Sequence, residues 1–407
     1  MQAPPIAENL ARFRKSRTMS QEELAACSGV GVDTIGRIER GERRTTRPGT
    51  VAKLARALDV SAEALLGLRP APSTSQAPQV AELRHAITAT AEIPGLSDFN
   101  EVNEVAAPSD IAATAHRAWR AYVDGQHAEL LYALPILLVD ARRLVHHTSG
   151  DDNAIAHRLL STAYRLGAGL AGRYDLDDLA WTAAERALTA AHHSDAAEIE
   201  TAISLRYLVW TLVRQGRLDD AERVAVMAAE KIEPRMLDRD PERAGVFGNL
   251  VFNAATAAQR AGSESRADDL LAVAQAAAVR AGRDTASESA IFGPRVAAFQ
   301  RVDKAVRAGD PETALQLAMR VPESQGVVPA FWEAGHRLHL AAAALQVRRD
   351  QLALDFLSEA RDLAPDWVRQ QPLGANTMRQ LVDRAPRRRG ADFALLAAHY
   401  GVVETGR

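Results

Sequence analysis

The sequence predicts an all-α protein, a small domain of five short helices followed by a long α-solenoid of helix pairs. Three observations predict it. Residues 18–41 read as two short helices about a tight turn, the second closed by Gly41. Beyond residue 109 the apolar residues follow a helical period and strand signals are absent. Within that stretch turn glycines return at a near-constant spacing of roughly 45 residues, as stacked helix pairs require.

A chain of 407 residues exceeds one ordinary core, so it is expected to divide. We place a head at residues 1–69, a linker with a possible short helix at 70–108, and the repeats with a C-terminal capping helix at 109–407. Hydrophobic content of 47% with 25% charged residues is that of a globular chain. The net charge of -3 is unevenly spread. Residues 1–69 hold 12 Lys and Arg against 8 Asp and Glu, and the remainder holds 37 against 44. A basic head on an acidic body suits a polyanion-binding module joined to a partner-binding one. Cys27 is the single cysteine, so there is no intramolecular disulfide, which fits a reducing compartment. The most apolar run, Leu130 to Val139, is about half the length that a bilayer span needs, and it contains Pro135. The stretch Met1 to Pro5 lacks a signal-peptide pattern. A soluble, cytoplasmic protein with no membrane partner is expected.

In the head, a first helix from about Pro5 to Ser16 puts Ile6, Leu10 and Phe13 on one face. Ser20 opens a second, and Glu23 completes a capping box. Leu24 and Ala25 point inward from it. Gly29 stands where the turn needs a residue tolerant of positive φ. A third helix, about Gly31 to Arg40, turns Ile35 and Ile38 inward. A fourth, about Pro48 to Leu58, buries Val51, Leu54 and Leu58. Ser61 caps a short fifth helix carrying Leu65 and Leu66.

Across about residues 6–68 this arrangement resembles the phage-repressor-like (xenobiotic-response-element) helix-turn-helix family. The residues that carry the resemblance are Ser20 to Ala25, Gly29, Ile35, Arg37 to Gly41, and Leu54 to Ser61. The loop from Glu42 to Gly49 departs from it, being longer and more basic than in the smallest members. The resemblance implies double-stranded DNA as partner and gives roles by position. Gln21, at the amino end of the second helix, would donate to a phosphate. Val32, Asp33 and Thr34 open the recognition helix, where side chains meet base edges. Asp33 would accept from cytosine N4, and Val32 would pack on a thymine methyl. Arg37 would reach a guanine or a phosphate, and Arg43, Arg44 and Arg47 the neighbouring phosphates. Arg14 and Glu39 look like the family's salt bridge between first and third helices. The competing readings are a solvated surface charge for each arginine singly, and a head converted to protein binding.

Arg69 to Gln79 holds three prolines and no apolar face, and reads as a linker. An isolated helix is expected over Val80 to Thr90, with Leu83 and Ile87 four apart. Gly125, Gly172, Gly216, Gly262 and Gly309, with a sixth turn near Arg348, then divide residues 109–365 into pairs. Ala221, Ala267, Ala314 and Ala353 follow four of these turns at one offset and are small enough for close helix approach. The units resemble tetratricopeptide repeats with longer helices, although the segment 125–130 is degenerate. Ala391 to Tyr400, after the basic turn Arg387 to Arg389, reads as a capping helix.

First helices of such arrays line the inner surface. Projecting the repeat places Arg206, Trp210, Asn249, Phe252, Asn253 and Phe299 there. Asn249 and Asn253, one turn apart, suit the backbone of an extended peptide, Arg206 a carboxylate, and Trp210 an apolar side chain. Packing within the array or contact with a second subunit is the competing explanation.

Other chemistry is not found. Gly167 to Gly172 has the spacing of a dinucleotide fingerprint but follows a helix where a strand is required. The pairs His146–His147 and His192–His193 are adjacent and point to different faces. His336 and His339 share a face without a carboxylate or cysteine at metal spacing. No nucleophile–base constellation is visible, so no enzymatic activity, metal or cofactor is expected. Head and array together resemble bacterial repeat-containing transcriptional regulators, including those that sense peptide pheromones. This implies a homodimer on a pseudo-palindromic operator and a peptide or small-molecule effector. The alternative is a constitutive repressor or a protein-interaction scaffold with no small ligand.

Overall fold

A computed structural model of the chain describes residues 5–16, 19–42, 46, 48–58, 65, 77–89, 105–234, 240–369, 371–384 and 390–402. The described residues are almost all helical. In the head, α1 (Pro5–Ser16), α2 (Gln21–Ser28), α3 (Val32–Glu39) and α4 (Pro48–Ala57) surround Leu10, Leu24, Ile35, Ile38, Leu54 and Leu58, all wholly buried. Leu65 joins this core. The rest of the expected fifth helix, with Ser61 and Leu66, lies outside the described residues.

α5 (Ala77–Thr88) corrects the expectation of an isolated helix. Val80, Leu83 and Ile87 are buried in the core of the array. Its carboxy-terminal carbonyls, which no helix can satisfy internally, accept from two distant arginines. Arg142 donates to Ala86 O at 2.6 Å, and Arg186 to Ile87 O and Ala89 O at 2.6 and 2.5 Å.

Six helix pairs follow among the described residues: α6 and α7 (Pro108–Val123, His127–His147), α8 and α9 (Gly150–Arg173, Asp177–His192), then α10 and α11 (Ala197–Arg214, Leu218–Lys231). Next come α12 and α13 (Pro241–Arg260, Glu264–Ala281), α14 and α15 (Pro294–Arg307, Pro311–Ala318), and α16 and α17 (Ala330–Gln346, Asp350–Leu363). α18 (Pro365–Arg369), α19 (Pro372–Arg384) and α20 (Ala391–His399) close the end. Phe393, Leu396 and Ala397 of α20 are buried, as a capping helix requires; Arg387 to Arg389 lie outside the described residues.

One turn joins the two helices of every pair. A residue in the left-handed region, with φ between 55° and 86°, stands at Gly125, Asp175, Gly216, Gly262, Gly309 and Arg348. The next N–H then returns to the closing turn of the first helix: Gln126 to Ala121 O, Leu176 to Ala171 O, Arg217 to Leu212 O, and so on to Arg349 and Ala344 O. This is a Schellman closure, which satisfies carbonyls the helix end leaves open. Five positions beyond each turn residue come Leu130, Ala180, Ala221, Ala267, Ala314 and Ala353, all with no exposed surface. The first pair is therefore regular, with leucine where the others have alanine. Gly172 is corrected: it lies inside α8, and Asp175 takes the left-handed position.

A hairpin, β1 (Thr285–Ala286) and β2 (Ile291–Phe292), corrects the expectation of no strands. Strands this short carry no readable alternation. Tertiary contacts hold them. The Phe292 ring fills the space above Gly248, where a Cβ would stand 2.1 Å from Cζ. β2 wedges between α12 and α14, and from the hairpin tip Glu288 reaches His116 of α6 at 3.7 Å.

Consecutive first helices pack on one another, apart from the place where β2 intervenes, whereas consecutive second helices do not pack to that extent among the described residues. First helices therefore crowd the inner side and second helices fan outward. The head touches the array through α1 and α10.

Candidate nucleic-acid interface and array lining

The turn between α2 and α3 is built as its residues dictate. Ser20 Oγ accepts from Glu23 N at 3.0 Å, and the Glu23 carboxylate accepts from Ser20 N at 2.7 Å, a complete capping box. Gly29 closes α2 at φ 64° and donates to Ala25 O. Val30, buried, then leads into α3, which sinks Ile35, Gly36 and Ile38 into the head. Val32, Asp33 and Arg37 consequently face solvent together, and Thr34 is partly exposed beside them.

Glu39 fixes the orientation of α3. Arg14 of α1 grips it in a two-pronged pair, Nε to Oε1 at 2.7 Å and Nη2 to Oε2 at 2.8 Å, and Arg14 Nη1 also donates to Met19 O. Both side chains are nearly buried, at 12% and 7% exposure, so this pair is not an exchangeable surface contact. Gln21, expected at a phosphate, is partly exposed at the amino end of α2. Its Nε2 donates to Glu39 Oε2 at 2.8 Å, which makes it a strut between α2 and α3. A Cβ at Gly36 would meet Arg40 Nη1 at 3.0 Å and Gln21 Oε1 at 3.4 Å, so the lack of a side chain there leaves room for both groups. Arg40 is engaged with Glu42 at 2.7 Å, and Arg37 stands 3.9 Å from the same carboxylate. The expected phosphate contacts Arg43, Arg44 and Arg47 lie outside the described residues.

The helix-turn-helix family pattern matches residues 10–65. Two Bacillus subtilis (strain 168) proteins are similar there: the uncharacterized HTH-type transcriptional regulator RghRB, 39% identical over 62 residues, and the HTH-type transcriptional repressor RghR, 41% identical over 61. Each match takes in 15% of this chain and 45% of the relative. The control protein C.SmaI of Serratia marcescens is 43% identical over 61 residues, which are 15% of this chain and 71% of that protein. The chain belongs to the helix-turn-helix family. Membership rests on the head, and the chain spans about half the length of the two Bacillus relatives. A solved structure, the apo form of the competence regulator ComR from Streptococcus vestibularis, is similar over 84% of this chain and 98% of that one, at 12% identity and a TM-score of 0.34.

In the array of this helix-turn-helix protein, the six residues projected onto the inner surface separate into two groups. Asn249 is buried, and its Nδ2 donates to Ile291 O at 2.8 Å, so its amide fastens the hairpin and is not paired with Asn253 toward a peptide. Phe299 is buried too, stacked on His336 with ring centroids 4.2 Å apart. Both corrections have one cause: the hairpin and the next pair cover these positions, which a single-helix projection cannot foresee. The others remain partly exposed. Arg206 lies 4.4 Å from the Tyr207 ring centroid, Phe252 meets Trp332 edge-on, and Asn253 is partly exposed. Trp210 sits over Gly172 with the guanidiniums of Arg173 and Arg214 at 6.0 and 5.0 Å from its ring.

The histidines are also redistributed. His339 has a carboxylate after all, Asp303 Oδ1 at 2.9 Å, supplied by α14 and so invisible to spacing along one helix. Burial opposes ionisation of Asp303, but Arg307 and His339 together hold its carboxyl far below the usual range. No metal-ligand group of three occurs among the described residues.

Proposed function

We propose that this chain is a sequence-specific transcriptional regulator that binds double-stranded DNA through α3, and whose helical array dimerises and senses a peptide or small-molecule signal. The observation that carries the reading is the exposed face of Val32, Asp33 and Arg37, presented by a helix whose inner side is locked through Glu39 to Arg14 and Gln21. A rigid, protruding helix with a cation one turn in suits the major groove, which admits an α-helix and displays distinct base edges. The names of the two Bacillus relatives, a transcriptional regulator and a repressor, support it. Two heads on one pseudo-palindrome would raise avidity far above that of a single small head. Contact between α1 and α10 supports a link between array and head. Among the described residues no helix is long and apolar enough to cross a membrane.

Capture of genomic fragments by the purified full chain at low ionic strength tests the reading. Enrichment of a defined sequence, lost steeply as salt rises, is the expected result. Absence of any enriched fragment would leave only the protein-interaction scaffold.

A further inference from the structure

Four successive first helices end on arginine: α8 on Arg173, α10 on Arg214, α12 on Arg260 and α14 on Arg307. Each holds the same place relative to the left-handed turn residue, Arg214 and Arg307 both lie within charge range of Arg260, and Gln259 beside it donates to Lys304 O of α14 at 3.1 Å, which joins the ends of α12 and α14. A cation in the last turn complements its own helix dipole. That accounts for an arginine at each end, but not for their unequal pairing.

Arg214 is held by Asp175 at 2.6 Å and Asp177 at 3.4 Å, and Arg307 by Asp303 at 2.5 Å. Arg260, between them, has no carboxylate partner among the described residues, and its buried Nε has no hydrogen-bond partner. The Nε of Arg173 is likewise unpartnered, its guanidinium lying 5.8 Å from the Tyr122 ring and 6.0 Å from that of Trp210. Burial, then the charges of Arg307 and Arg214, push the Arg260 guanidinium down to about 9 against the pull of Asp303. A desolvated cation repelled by its neighbours gains more than any other from an incoming negative charge. The cavity between α13 and α15 offers Lys304 as well, but Asp268 at 2.6 Å and Glu264 at 3.4 Å already close that ammonium.

We propose that these helix ends form a binding site for an anionic ligand, whose carboxylate or phosphate group sits on Arg260 with Arg214 and Arg307 to either side and Trp210 and Arg173 beyond. The site rests on the reading of the array as a sensing domain and narrows its ligand to an anion.

The full chain is titrated by calorimetry with inorganic phosphate, pyrophosphate and citrate in a buffer free of other multivalent anions. Saturable binding of the phosphates alone identifies a phosphate group; binding of citrate alone identifies a carboxylate; binding of both supports a site for either. Arg260→Met weakens that binding at least ten-fold, and Arg320→Gln, at an exposed position beyond α15, leaves it unchanged. Thermal melting of the ligand-free protein gives a second readout. Removing a cation that its neighbours repel raises the melting temperature of Arg260→Met, whereas removing an arginine that serves only the helix dipole lowers it. The proposal is overturned if no titrant binds, if Arg260→Met binds like the parent, or if it melts lower. An anion that binds through Arg260 without altering affinity for captured genomic DNA removes the sensing reading and leaves the site standing.

Discussion

Trp210 occupies the space that a side chain at Gly172 would need: a Cβ there would lie 2.4 Å from Cζ3 of the indole. This contact joins α8 to α10, and through the arginines around the indole it also shapes the inner wall. Gly172→Ala should therefore destabilise the array by about 1–3 kcal/mol, as overpacking does in a rigid interior. A lowered midpoint in urea unfolding of the full chain, relieved by adding Trp210→Leu, checks it. An unchanged midpoint in the single variant would show that the indole moves freely.

Arg37→Ala should weaken binding to the enriched genomic sequence by about 1–3 kcal/mol and relax preference at one base position. The side chain is exposed, and its nearest carboxylate, Glu42, is 3.9 Å away, so helical content should not change. Gel-shift titration beside circular dichroism separates the two effects. Equal affinity in parent and variant would take Arg37 out of the interface.

Glu39→Ala should act on the head as a unit. It strands the nearly buried Arg14 guanidinium and frees Gln21, at a cost of about 3 kcal/mol. Faster hydrogen exchange of amides in α1 to α3, with those in α8 to α13 unaffected, is the expected pattern. Specific DNA binding should fall with it, because α3 loses its fixed tilt.

The acid limb of stability should carry the mark of His336. Burial, with Arg337, His339 and Arg295 adding to it, pushes this imidazole down to about 3, while the unfolded chain titrates near 6.5. The unfolded state then binds the proton first, so stability present above about pH 6.5 is lost as pH falls toward 3. The most this histidine can contribute is about 5 kcal/mol. His336→Phe keeps a ring on Phe299 and removes the titration, and its acid-unfolding midpoint should lie at lower pH. A midpoint at the parent value would show that other groups control acid unfolding.

Local rules made the head legible. The capping box at Ser20 and Glu23, the left-handed Gly29 and the apolar spacing of Ile35 and Ile38 each act within a few residues; the pairing of Arg14 with Glu39, 25 positions apart, followed only from the family resemblance. The bond from Gln21 to Glu39 is not legible in the sequence, because it joins side chains of two different helices. In the array the recurrent turn was visible wherever glycine filled it. At Asp175 a non-glycine residue takes the left-handed position, so the turn carries no glycine signal of its own and Gly172, three residues earlier, is the nearest glycine.

The amino-acid order by itself determined that the chain is helical, where its head lies, and the period of its helix pairs, because caps, turn residues and apolar spacing are interactions between near neighbours. Only the tertiary structure decided what the inner wall offers. The hairpin took Asn249, the following pair took Phe299, and Asp303 came to His339 from another helix. Stacking also brought four arginines, far apart along the chain, to the ends of neighbouring helices, with the poorly compensated Arg260 among them. Burial and charge pairing depend on which helices come to lie side by side, and no spacing along one strand of sequence encodes that.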